Sequence, residues 1–359
     1  MNLPQLKIGD LVAKVPVVQG GMGVGISLSG LASAVAKEGG IGVIAAAMIG
    51  LTNKNGGKDH AKAHIDTLAE EIRKAKEMSS GILGVNIMVA LSNFADMVST
   101  SVKEGADVIF SGAGLPLDLP KYLHDGAKTK LVPIVSSGRA ASIICKKWIS
   151  KFDYLPDAFV VEGPMAGGHL GFKREQLNDP KFALENILPE VIKAVKPFEE
   201  KAGRTIPVIA AGGVYSGEDI NKFLDMGAAG VQMGTRFVAT HECDADDEFK
   251  QAYVNSTKED MAIIQSPVGL PGRAVNNDFL QAVTDGKKSP FKCPFHCIKS
   301  CKVEESPYCI AAALINAQRG KLKNGFAFAG SNAWRTEKII SVKQLFTDLK
   351  AEFDRAVAR

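Results

Sequence analysis

The chain has 359 residues, of which 46% are hydrophobic and 23% charged, with 43 basic against 39 acidic side chains and a formal net charge of +4. That apolar content excludes a disordered tail, and the 36 glycines follow no strict period, which excludes a collagen-like repeat. The balance of charge offers no basic face to nucleic acid, and no run approaches the roughly 18 apolar residues of a membrane span.

Eight short, largely apolar runs recur in chain order, at residues 16–19, 41–46, 83–89, 107–112, 130–136, 158–163, 207–213 and 230–237. They do not alternate, as expected of parallel strands covered on both faces. Helical patterns lie between them at 28–37, 61–78, 94–104, 139–150, 184–201 and 217–226, several with start and stop signals such as Ser216 before a helix and Gly227 after it. Eight such units in about 240 residues predict a (β/α)8 TIM barrel, typically ~250 residues long. An open doubly wound sheet is the rival, but it carries its glycine-rich fingerprint after the first strand, whereas here glycine-rich turns follow strands 1, 6, 7 and 8.

Past residue 258 the alternation stops. Residues 263–277 read as a loop, a segment with four cysteines follows, then a helix near 310–319, a glycine-containing loop at 324–332 and a charged helix at 342–357. The expected division is a (β/α)8 barrel at 1–260 and a C-terminal helical extension at 261–359 that packs on the barrel mouth with its cysteines. The N-terminus has no apolar signal-peptide core, so a cytoplasmic location is expected.

The turns AAGG (210–213) and QMGT (232–235) end strands 7 and 8, the two strands whose loops commonly hold phosphate in such barrels. Glycines there also serve simply as tight turns. EGPMAGGH (162–169) leaves strand 6; its Gly-Gly pair lets backbone pass close to a flat ligand, and His169 can move a proton near neutral pH at the face where barrel sites are built. GGMGVG (20–25) after strand 1 lacks the acidic partner of a dinucleotide fingerprint, so it reads as a backbone cradle for a planar ligand, with Asn86 a side-chain partner or a turn residue.

The ordered series PVVQGGMG, GVNIMV, EGPMAGGHLGF, PVIAAGGV and GVQMGTRF resembles the nitronate monooxygenase (2-nitropropane dioxygenase) family, which also includes flavin-dependent enoyl-acyl-carrier-protein reductases; the similarity spans roughly residues 10 to 280. The resemblance implies non-covalent FMN at the barrel mouth, contacted by Gly21, Met22, Asn86, Gly167, Gly213, Gln232, Met233, Gly234 and Thr235. It makes His169 the active-site histidine, a base or hydrogen-bond partner in the oxidation of alkyl nitronates with dioxygen. The alternatives are an NAD(P)H-dependent enoyl-acyl-carrier-protein reductase, and a flavin-free lyase or isomerase acting on a phosphorylated metabolite.

Two departures stand out. Many relatives have Gln where this chain has Glu162 and Glu where it has Met165. A carboxyl at the strand end, close to the flavin, is expected to have a raised pKa. Cys293, Cys297, Cys301 and Cys309 stand at spacings that could ligate an iron–sulfur cluster or Zn²⁺, although the pattern is neither a zinc ribbon nor a common ferredoxin run and free buried thiols are the plain alternative.

Overall fold

The computed structural model describes residues 3–53, 59–288, 293 and 295–358. Eight parallel strands form the barrel: β1 Val17–Gln19, β2 Gly42–Ala45, β3 Leu83–Met88, β4 Val108–Gly112, β5 Lys130–Val135, β6 Phe159–Glu162, β7 Val208–Ala211 and β8 Gly230–Met233. Each pairs with its sequence neighbour, β8 pairs with β1, and a parallel bridge between Val18 and Ile41 completes the ring. All eight match the expected runs. The eighth is shorter than expected, because the chain turns at Gly234 into a short helix at Thr235–Val238 and does not stay extended to Phe237.

The barrel interior is filled by Val18, Val43, Phe110, Val132, Val160 and Ile209, all essentially inaccessible to solvent. A hairpin of Leu6–Ile8 and Leu11–Ala13, not foreseen in the sequence, plugs the end where the strands begin by adding Leu6, Ile8 and Ala13 to the same cluster. Burial on both faces is why the strands read as continuous apolar runs, and the plugged bottom leaves the opposite end for chemistry.

Outside the strands lie α1 Ser29–Lys37, α2 His60–Met78, α3 Phe94–Lys103, α4 Gly138–Phe152, α5 Leu184–Ala202 and α6 Gly217–Asp225. Their starts follow local chemistry: Ser137 caps α4 by accepting from the Ala140 amide, and Ser216 with Asp219 forms a capping box on α6. The C-terminal helix Val342–Val357 takes the remaining place in this jacket, with Leu345, Leu349 and Phe353 buried in the core shared with α1 and α6. Gly217 permits this approach, since a Cβ there would stand 2.2 Å from the Phe353 amide nitrogen.

Residues 263–277, expected as a loop, contain a β-hairpin. Met261–Gln265 pairs antiparallel with Pro271–Val275, which pairs in turn with Gly168–His169 from the turn after β6. The third strand lies about a hundred residues upstream, so the pairing is tertiary and left no period in the local sequence. Among the described residues no helix is long and apolar enough to cross a membrane.

Candidate active site

At the strands' C-terminal ends a cavity of about 870 Å³ opens, near the top of the roughly 300–1,000 Å³ usual for ligand pockets. The residues expected there converge on it. Gly21 and Met22 come from the loop after β1, Asn86 from β3, and Glu162, Gly167 and His169 from β6 and its turn. Gly213 follows β7, and Gln232, Met233, Gly234 and Thr235 end β8. Register fixes part of this wall, because Ala211 is level with Glu162 on one side and with Gln232 on the other.

The glycines divide by role. A Cβ on Gly21 would lie 2.3 Å from Asn86 Cβ, so a bare backbone lets the first loop reach β3. Gly212 and Gly213 both have left-handed φ, at 91° and 97°, which shapes the β7 turn. Gly167 borders the cavity, but its missing side chain serves another purpose: a Cβ would meet the carbonyl carbon of Ala329 and the nitrogen of Gly330 at 2.5 Å. The expected passage beside a flat ligand is thus first an approach between two protein segments.

His169 Nε2 lies 2.7 Å from the hydroxyl of buried Ser266, and the edge of its ring meets Phe328 at 5.0 Å between centroids. Burial pushes its pKa down to about 4, so the ring is neutral at ordinary pH. The Val268 amide donates to Ser266 Oγ at 3.3 Å, and we assign the hydroxyl hydrogen to Nε2. That assignment puts the ring proton on Nδ1. Glu162 is half-buried against the cavity, and burial pushes its carboxyl up to about 7, as expected for that position.

Four site residues were missed in the sequence. Arg273 is buried and donates from one guanidinium nitrogen to the carbonyls of Pro164 and Ala166, 2.6 Å each, which pins the turn carrying Gly167 and His169. Ser266 and Phe328 flank His169. Asn332 donates to the Gly213 carbonyl at 2.7 Å, while the neighbouring Gly330 amide donates to Thr235 Oγ1 at 3.2 Å and Ser331 to the Met165 carbonyl at 3.1 Å. The strap 328–332 therefore clamps the turns after β6, β7 and β8. Asn332 beside Gly330 in an otherwise apolar loop was the one visible signal.

The cysteines lie beside this cavity, outside its lining. Ile298 bridges to Leu91, the Ser92 amide donates to the Cys297 carbonyl at 3.1 Å, and Cys297 is buried with Val24, Met48, Ala311 and Ile315. Burial, with neighbouring thiols adding to it, pushes Cys297 up to about 12 and raises Cys309. Cys293 Sγ accepts from the His296 amide at 3.4 Å, and Cys301 Sγ lies 3.7 Å from Ser306 Oγ. All four are free thiols, and among the described residues no group of three or more His, Cys, Asp or Glu is arranged to hold a metal ion. Pro294, within the expected motif, is outside the described residues.

A closed (β/α)8 barrel with a deep glycine-walled mouth and a half-buried neutral imidazole is the frame of an enzyme acting on small molecules. The nitronate monooxygenase family model matches residues 5–104 and 93–352, and the chain belongs to that family. A carboxyl-CoA dehydrogenase of Mycobacterium tuberculosis, named for a hydroxy-methyl-oxo-octahydro-indene acyl group, is 30% identical over 274 residues, covering 76% of this chain and 66% of that protein. The chain thus spans just under two thirds of that relative's length. A "probable nitronate monooxygenase" of Staphylococcus aureus is 24% identical over 310 residues, 76% of this chain and 79% of its own. Among solved structures, FabK of Thermotoga maritima superposes with a TM-score of 0.72 at 27% identity, covering 96% of this chain and 94% of that one. The nitroalkane oxidase of Streptomyces ansochromogenes shares the fold at 0.72 and 22% identity over 98% of both chains.

Proposed function

We propose that the protein is an FMN-dependent oxidoreductase that oxidises alkyl nitronates with dioxygen. The observation that carries the reading is the convergence on one cavity of all eleven residues expected at the site, including a neutral His169. The residues suit the cofactor. Backbone at Gly21 and at Gly212–Gly213 lines the cavity, where amide N–H groups suit a phosphate, and the side-chain amides of Asn86 and Gln232 can pair with ring nitrogens and carbonyls. FMN, when bound, supplies the acceptor for the substrate's electrons and a route onward to dioxygen.

The chain's own part is to place and hold. With Nε2 engaged by Ser266, His169 offers Nδ1–H, which has no partner within the described chain, as a donor to a negatively charged nitronate oxygen. Arg273 and the strap 328–332 keep that imidazole and the anion-binding turns at fixed separation. Leu270, Pro271 and Phe328 form an apolar part of the cavity wall beside the ring.

A second reading, an NAD(P)H-dependent reductase or dehydrogenase of acyl thioesters, draws on the coenzyme A relative, whose identity exceeds that of the nitronate monooxygenase relatives. Purified protein should be yellow. Oxygen consumption with an alkyl nitronate supports the first reading; rapid flavin reduction by NADH or NADPH without nitronate turnover replaces it with the second. Protein that neither carries nor accepts FMN returns the barrel to a flavin-free, phosphate-binding enzyme.

A further inference from the structure

We infer that Glu162 is a redox-linked proton acceptor: its carboxylate takes a proton from solvent when the cofactor in the cavity gains negative charge on reduction, and returns it on reoxidation. The inference rests on FMN as the occupant of the cavity. It starts from position, since Glu162 ends β6 level with Ala211 and, through it, with Gln232, and its side chain borders the cavity. No hydrogen bond or ion pair to the carboxyl is formed within the described residues.

The charged and titratable groups around it are committed elsewhere. On β5, Lys130 pairs with Asp10 at 2.5 Å at the strand's other end, away from the mouth. On α5, Glu185 pairs with Lys222 and Glu190 accepts from the Gly138 amide. Within the cavity wall, His169 is neutral, Tyr215 bonds Thr336, Tyr253 donates to the Phe328 carbonyl, and Arg273 is held by Pro164 and Ala166. Lys173 lines the rim and is exposed. Burial is the sole cause of the raised carboxyl pKa, so no cation is placed to compensate the charge. Such a group is poised: an added negative charge in the same poorly solvated space raises its pKa further and draws a proton onto it.

The balance is simple. The electron pair comes from the nitronate or nicotinamide substrate in turnover, or from dithionite in a test, and resides on the cofactor. One proton from water converts the Glu162 carboxylate to the acid, and no bond forms between Glu162 and any ligand.

The test is redox-difference infrared spectroscopy of the FMN-loaded protein at pH 8, where the resting carboxyl is ionised. Reduction should produce the carbonyl band of a protonated carboxylic acid, shifted by ¹³C-glutamate labelling and lost in Glu162→Gln. The midpoint potential of the wild type should fall more steeply with pH, by up to one proton per electron pair, than that of the variant. Bound flavin that reduces with no such band and with equal slopes overturns the proposal. If Glu162→Gln does not fold, Glu162→Asp keeps a carboxyl at the position, and its band should then shift with ¹³C-aspartate and no longer with ¹³C-glutamate; a band that still follows ¹³C-glutamate overturns the proposal. Failure to bind FMN at all overturns the cofactor reading and this inference with it, an outcome seen before any spectrum is recorded.

Discussion

The imidazole of His169 and the hydroxyl of Ser266 stand 2.7 Å apart, joining the turn after β6 to the tip of a hairpin 97 residues further along the chain. The contact holds a neutral ring in one orientation at the cavity wall. Replacing His169 with Ala should leave FMN bound and lower kcat on the order of 10²- to 10⁴-fold, the usual range for a positioned proton donor or acceptor. Ser266→Ala should lower it by about tenfold, with Ser266→Thr restoring most of the loss. Steady-state kinetics with flavin occupancy measured alongside checks both; unchanged turnover in the alanine variant of His169 removes it from the chemistry.

In the pH profile of wild-type turnover, protonation of His169 should contribute no loss as pH falls from 7 through 6, because the ring stays neutral until about 4. An ionisation near 7 in the same profile belongs to Glu162 and should vanish in Glu162→Gln. A persistent step near 7 in the variant would assign it to another group.

Glu162 also sets a pH dependence of stability. The unfolded chain gives up this proton near 4.5 and the folded chain near 7, so over that window the folded state binds more protons and stability falls as pH rises. Above 7 the full cost is present, at most about 3 kcal/mol at 1.36 kcal/mol per pKa unit. Glu162→Gln should therefore be more stable than wild type at pH 8 and equal to it at pH 5, measured by urea unfolding of the apoprotein.

Arg273→Met should cost about 2–4 kcal/mol, because two buried carbonyls, those of Pro164 and Ala166, lose their shared donor. The turn bearing His169 would be released at the same time. Weaker FMN binding, read by flavin fluorescence, should accompany the drop in the unfolding midpoint.

Gly167→Ala would drive a methyl group into backbone of Ala329 and Gly330, which cannot rotate away as a side chain tip would. The expected result is a loss of about 1–3 kcal/mol, with the strap 328–332 more open to proteolysis. Wild-type stability in that variant would mean that the two segments separate without cost.

The barrel was legible because parallel strands buried on both faces leave uninterrupted apolar runs, as in the VVQ of β1 and the FVVE of β6, each closed by glycine. The mouth was legible only where one chain segment carries its own signal, as Gly212–Gly213 and His169 do. Ser266, Arg273 and Asn332 act through partners 97, 107 and 119 residues away, and only Asn332 stands out from its local sequence. For the same reason Gly167 reads in sequence as space for a ligand, when the nearest thing it makes room for is Ala329.

The clamp that Gly330 and Asn332 place on Thr235 and Gly213 makes the cavity wall a joint product of segments about a hundred residues apart. Its walls run from Gly20 to Asn332, so the complete lining forms only when both ends of that span are folded together. A ligand that contacts both ends of that span stabilises the folded chain by mass action.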